Sequence, residues 1–185
     1  MHDVLLSFYR FSDDMALIER ASCGDLEGVK TLIQQGVNVN TKNRHSKTAL
    51  YIACENGHTD VVQYLLDSGA SVKFGAKPLI AAVRNDHYEC AKLLLQHNAT
   101  VHCTNAKGES PMSLAMEKRH YSIVLLLIQY GATASESLGV EKVALQLLKD
   151  AKVEHTNVIQ KLMNQNVINL TSENIFLDLN VARLS

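Results

Sequence analysis

A pattern that returns roughly every 33 residues is the strongest constraint on what this chain can fold into. Its clearest copy is the stretch from Lys47 to Val72, KTALYIACENGHTDVVQYLLDSGASV, which reads as two short helices joined by a tight turn. Thr48 is placed to accept a hydrogen bond at the start of the first helix. The inner face of that helix is Leu50, Ala53 and Cys54, small enough to let a neighbouring helix approach closely. Gly57 ends it. Asp60 sits in the first turn of the second helix, where its charge meets the positive end of the dipole, and Val61, Val62, Leu65 and Leu66 form an apolar stripe at helical spacing. Gly69 supplies the left-handed residue that closes the unit. Helices of roughly ten residues are marginal alone in water, and each has a face that only another unit can cover. The unit therefore needs neighbours.

The neighbours are present. A shift of 33 residues towards the N-terminus lays Gly24, Val29, Leu32, Ile33, Gly36 and Val39 on Gly57, Val62, Leu65, Leu66, Gly69 and Val72. A shift of 29 the other way lays Pro78, Leu79, Ala82, His87, Cys90, Leu94 and Ala99 on the template, and a further 33 adds Pro111, Met112, Ala115, His120, Ile123, Leu127 and Ala132. Four units at one period identify a solenoid. The segments KTALYIACENGHTDVVQYLLDSGA, KPLIAAVRNDHYECAKLLLQHNA and ESPMSLAMEKRHYSIVLLLIQYGA resemble the ankyrin repeat, whose first helix opens TPLHxAA, turns on GH and ends LLxxGA. The resemblance covers about residues 15 to 135 and implies an all-α fold, an ankyrin-repeat solenoid of stacked helix-turn-helix units with short hairpin fingers. The expected repeats are about 15–46, 47–75, 76–108 and 109–137, within a domain spanning 1–170.

The two ends depart from the pattern, as terminal units of a stack do. The apolar run Val4 to Phe11 within residues 1–14 is expected to cover the outer side of the first repeat, with a partner-binding strip as its alternative. Asp13 or Asp14 is expected to cap a first helix over Met15 to Ala21. Beyond Gly131, the helical spacing of Val140, Val143, Leu147 and Leu148, and then of Val158, Ile159, Leu162 and Met163, suggests a degenerate capping repeat over 138–170. The tail 171–185 reads either as a short helix or extended strip packed on the stack, or as a lead into a further domain.

A net charge of −1 argues against a general binder of nucleic acid or of membrane surfaces. No apolar run reaches the 18 residues that a membrane helix needs, and Val4 to Phe11 lacks the flanks of a signal peptide. Cys23, Cys54, Cys90 and Cys103 form no CxxC pair, and the repeat turns Cys54 and Cys90 inward, so we expect reduced thiols in an intracellular protein, cytoplasmic or nuclear. No catalytic motif is present and no enzyme activity is expected. His58, His87 and His120 recur at one position of the unit, which fits rings bonded to backbone. His87 and Cys90 are spaced like metal ligands, but Cys90 takes the inward position of Val61 and Ile123, so neither a metal nor another cofactor is expected.

The connections between units carry the functional reading. After Val39 a polar finger runs from Asn40 to Ser46, and a full-length finger returns after Val101 with Gly108 at its turn. After Val72 only Lys73, Phe74, Gly75 and Ala76 remain, which leaves Phe74 near the tip of a shortened finger, either tucked against the next unit or open to a partner. The resemblance places partner binding on the concave face formed by fingers and first helices. Carried over position by position, it selects Arg44, His45, Lys47, Glu55 and Asn56, then Lys73, Phe74, Arg84 and Asn85, then Lys107, Glu109, Glu117, Lys118 and Tyr130. Six cations oppose three carboxylates there, so the face is net basic in a slightly acidic chain. The expected partner is an acidic, extended protein segment held by charge-assisted hydrogen bonds, with Phe74 or Tyr130 as an apolar anchor. Solvated surface charge is the plain alternative, and nucleic acid ranks below protein because no aromatic platform accompanies the cations. The resemblance also marks Asn40 as a candidate for asparaginyl hydroxylation, against a simple turn asparagine.

The sequence is thus read as a monomeric, non-catalytic interaction module, an adaptor or scaffold. Two alternatives stand beside that reading. One is the recognition region of a larger enzyme such as a kinase or ubiquitin-ligase component; the other is a small inhibitor of a kinase or transcription factor.

Overall fold

The computed structural model describes residues 2–73 and 77–132, with side chains from residue 13 onward. Among the described residues are eight helices and no strand: α1 (His2–Cys23), α2 (Leu26–Gln34), α3 (Ala49–Asn56), α4 (Thr59–Asp67), α5 (Pro78–Arg84), α6 (Tyr88–Gln96), α7 (Pro111–Glu117) and α8 (Tyr121–Gln129). None of these is long and apolar enough to cross a membrane.

Local chemistry sets the helix ends. Thr48 accepts the amide of Tyr51 at 3.2 Å to open α3, and Ser110 opens α7 in a reciprocal box with Ser113. Caps of this kind contribute about 1 kcal/mol each. Pro78 and Pro111 occupy the first turns of α5 and α7, where a missing N–H costs nothing. Gly57 closes α3 in the left-handed region at φ 78°, and its N–H bonds the Ala53 carbonyl.

Two parallel rows build the stack. α1, α3, α5 and α7 pack side by side in the first row, and α2, α4, α6 and α8 in the second, each pair bridged within its own unit. Buried alanines such as Ala49, Ala53, Ala82 and Ala115 let the first row approach closely. Larger residues, among them Val62, Leu65, Leu94 and Leu127, fill the layer between rows, and all four are fully buried. Val29 alone is fully buried on α2, because that helix stands at the edge of the second row with one neighbour.

The first helix corrects the sequence reading. It starts at His2 rather than Met15, and it runs through Asp13 and Asp14 without using either as a cap. No glycine or proline interrupts the segment, and the modest helix cost of two aspartates does not outweigh propagation through leucine, alanine, glutamate and arginine. Asp14 instead accepts a hydrogen bond from the Thr41 hydroxyl at 3.0 Å and so ties α1 to the first connecting loop. The side chains of Val4 to Phe11, together with Phe74, the capping repeat 138–170 and the tail 171–185, lie outside the described residues.

Cys54 and Cys90 are buried, as their place in the unit required, whereas Cys23 is exposed and Cys103 half-buried. Burial pushes the Cys54 thiol well above its ordinary pKa and raises those of Cys90 and Cys103 as well. Titration of the native protein with a thiol-specific disulfide reagent at neutral pH should therefore label Cys23 first and Cys103 slowly. Cys54 and Cys90 should react only after denaturant is added; rapid labelling of either in the native state would contradict the packing described.

Candidate functional site

An asparagine shapes each full-length finger. Asn43 accepts the amides of His45 at 2.9 Å and Lys47 at 3.1 Å through its side-chain oxygen, which folds the turn before α3. Asn105 does the same before α7, accepting Lys107 N–H at 2.9 Å and Glu109 N–H at 3.0 Å. The left-handed corner is Ser46 in the first finger and Gly108 in the other. Arg44, His45 and Lys107 are thereby held at exposed tips, where Arg44 Nε donates to His45 Nε2 at 3.1 Å.

Between the fingers and the first row lies a groove of about 290 Å³ with a mostly apolar wall. Tyr51 of α3, Ile80 of α5 and Ala106 of the finger before α7 supply the apolar surface. Lys77, just before α5, and Arg84 at its end stand beside it, and Thr104 and Asn105 close the finger side.

Ion pairs stiffen both walls. Lys47 Nζ lies 2.9 Å from each oxygen of Glu55 and 4.8 Å from the centroid of the Tyr51 ring, while the Tyr51 hydroxyl donates to Glu55 at 3.3 Å. Arg84 reaches Glu109 at 3.3 Å across the boundary between the third and fourth units. Asn105 donates to the same Glu109 oxygen at 2.6 Å; that bond, with Lys107 and Arg84 adding charge, holds the carboxyl below the usual carboxylate range, so it stays ionised. Pairs this exposed contribute little to stability, and their use here is to fix the finger against α5.

The selected residues thus divide. Lys47 and Glu55 neutralise each other, as do Arg84 and Glu109, whereas Arg44, Lys73, Lys107 and Lys118 make no ion pair among the described residues. Asn56 donates to the Ser22 carbonyl at 2.9 Å and Asn85 to the Glu55 carbonyl at 3.1 Å, so both clasp the end of the preceding first-row helix. Glu117 is exposed at the end of α7. Tyr130 is 41% exposed at the end of α8, in the second row, and is not part of the groove wall. Asn40 accepts the Ser71 amide at 2.8 Å and donates to the Gly69 carbonyl at 3.4 Å, which engages its amide between two connecting loops.

The histidines follow the expected role in two cases of three. His58 bonds the Ser22 carbonyl at 2.9 Å and His87 the Glu55 carbonyl at 3.2 Å. Each ring packs on the turn glycine of the preceding unit, so close that a methyl group on Gly24 or Gly57 would lie 2.7 or 2.6 Å from it. The third unit has Asp86 at that turn, with φ 60°. His120 therefore does not bond backbone: its Nδ1 faces the Asp86 carboxylate at 3.4 Å, and its Nε2 is buried without a hydrogen-bond partner among the described residues.

Tyr51, Lys77, Ile80, Thr104 and Asn105 were not selected from the sequence, yet they line the groove. Lys77 carried a signal: it stands at the position held by the capping hydroxyls of Thr48 and Ser110 in the flanking units. Among the described residues no group of three or more histidine, cysteine, aspartate or glutamate side chains is arranged to hold a metal ion.

A family model described as ankyrin repeats matches residues 4–76 and 71–137. The chain is similar to Serine/threonine-protein kinase 12 of Arabidopsis thaliana, 36% identical over 87 residues, which are 45% of this chain and 19% of that protein. It is also similar to Ankyrin repeat and SOCS box protein 11 of Danio rerio, 40% identical over 97 residues, covering 51% of this chain and 33% of that one. SMC5-SMC6 complex localization factor protein 1 of Homo sapiens is 40% identical over 81 residues, 40% of this chain and 8% of that protein. The match spans a third or less of each relative's length.

Proposed function

The chain belongs to the ankyrin repeat family, a non-catalytic protein-interaction fold, and from that premise we propose that it binds an acidic, extended segment of a partner protein along the groove between its fingers and first-row helices. The supporting observation is the cation pattern: Arg44, Lys73 and Lys118 make no ion pair among the described residues, and Lys107 makes none although its charge acts on nearby Glu109, while the pairs Lys47 with Glu55 and Arg84 with Glu109 hold the walls rigid between them. Preformed walls reduce the ordering cost of binding, and free cations speed encounter with an acidic chain and select it over a basic one. The protein acts as an adaptor or scaffold.

The test is fluorescence anisotropy with a labelled dodecapeptide of glutamate, serine and glycine. Changing Arg44, Lys73, Lys107 and Lys118 together to glutamate should weaken binding by about tenfold or more, with binding by the wild type falling steeply as salt rises. Equal affinity of the two proteins would refute the acidic-segment reading.

Partial coverage of the relatives named above supports a second reading, in which these repeats are the recognition region of a larger protein such as a kinase. The mass of the native protein on an immunoblot separates the two: a mass near that of the 185-residue chain favours the first.

A further inference from the structure

We propose that the groove beside Lys77 is a seat for one apolar side chain of the bound segment, with a carboxylate one or two residues away held by Lys77. This inference rests on the acidic-segment reading and adds a sequence preference to it.

Three independent observations meet at this spot. The first is a broken rule. In the units on either side, Thr48 and Ser110 are buried, 1% and 8% exposed, and each accepts an amide of the helix it opens. Lys77 stands at the same position, has no acceptor to offer, and α5 begins without a side-chain cap. α4, α6 and α8 also begin without a side-chain cap, but of the three first-row helices α3, α5 and α7 only α5 gives one up, which leaves the Lys77 side chain with no capping role.

The second is the shape. Tyr51, Ile80 and Ala106 make the groove largely apolar, and its 290 Å³ lies at the low limit of the roughly 300–1,000 Å³ that small-molecule sites occupy. That volume suits one aliphatic or aromatic side chain. The connection between units that leads to α5 is also the shortest of its kind: residues 68–77 span ten positions, whereas 35–48 and 97–110 span fourteen each.

The third is charge. Lys77 makes no ion pair among the described residues, and Arg84 commits only one side of its guanidinium, to Glu109. Residues along an extended chain are about 3.3–3.6 Å apart, so a carboxylate one or two places from the seated side chain comes within reach of the flexible lysine stem.

Labelled dodecapeptides tested against the full chain decide the matter. One contains only glutamate, serine and glycine, a second carries a single central leucine flanked by glutamate, and a third carries the same leucine flanked by serine with its glutamates moved outward. The leucine peptide with adjacent glutamate should bind about tenfold or more tighter than the all-polar acidic peptide. Lys77→Ala should weaken that peptide several-fold and the serine-flanked one much less. Ala106→Phe, on the exposed finger, should remove the leucine advantage, so that the leucine peptide and the all-polar acidic peptide bind this variant with equal affinity. Equal affinity for the acidic peptides with and without leucine overturns the seat but leaves the acidic-segment reading standing. A Lys77→Ala protein that binds the leucine peptide as the wild type does overturns the role of Lys77. Absence of binding by every acidic peptide overturns both.

Discussion

Replacing Leu94 with alanine should lower the unfolding free energy by about 2–5 kcal/mol, the range found for leucine deletions in packed interiors. Leu94 is fully buried on α6, in the middle of the second row, where α4 and α8 cover its two flanks and α5 covers it from the first row. A cavity there cannot collapse against solvent. Each unit of a solenoid is held by its neighbours, so the loss should be felt on both sides rather than in the third unit alone. Urea denaturation followed by circular dichroism measures it. For a chain of this size the shift in Tm should be roughly 2–4 °C per kcal/mol. A variant that unfolds with the parent's midpoint would mean that α6 does not carry this position inward.

Gly57→Ala should cost nearly as much, roughly 2–4 kcal/mol, although it adds one methyl group to a surface turn. Alanine in the left-handed conformation is strained by about 1–2 kcal/mol, and Gly57 sits at φ 78°. The new methyl would also meet the His87 ring at 2.6 Å, and that ring supplies one of the two hydrogen bonds received by the Glu55 carbonyl at the end of α3. Displacing the ring loses a bond that joins the second and third units. Gly36→Ala separates the two causes, since Gly36 has φ 88° but open space where the methyl would go. It should show the backbone strain alone, about 1–2 kcal/mol. If the two alanine variants melt together, the histidine contact contributes nothing.

The repeat was legible because one physical demand is written four times: a small first-row face, a left-handed stop, a larger second-row stripe, with a side-chain cap at the start of the second and fourth copies. Thr48, Gly57, Val62 and Leu65 could each be read directly, and the structure places each where its chemistry requires. The start of α1 was misread because Asp13 and Asp14 offer the side chain of a cap, and the sequence does not show that Thr41 takes the Asp14 oxygen. His120 departs from its repeat for a reason that lies 34 residues earlier, at Asp86, which replaces the turn glycine of the first two units. The groove was half visible. Cations on fingers follow from alignment to the unit, but the pairing of Arg84 with Glu109 depends on how one finger leans on the preceding helix. Periodicity carries no such information. Alignment to the unit does not pick out Lys77, because this residue matters by failing to fit the template.

The most direct test of the binding account is affinity capture from cell lysate. Three forms of the chain would be compared by mass spectrometry: the wild type, the Arg44, Lys73, Lys107 and Lys118 to glutamate variant, and a control with Lys30→Glu and Lys92→Glu, which reverses charge on the second-row helices α2 and α6. The account predicts a protein with an acidic extended segment that is retained by the wild type and the control and lost from the finger variant. The same proteins retained by all three forms, or lost only from the control, would contradict it and move the binding surface away from the groove.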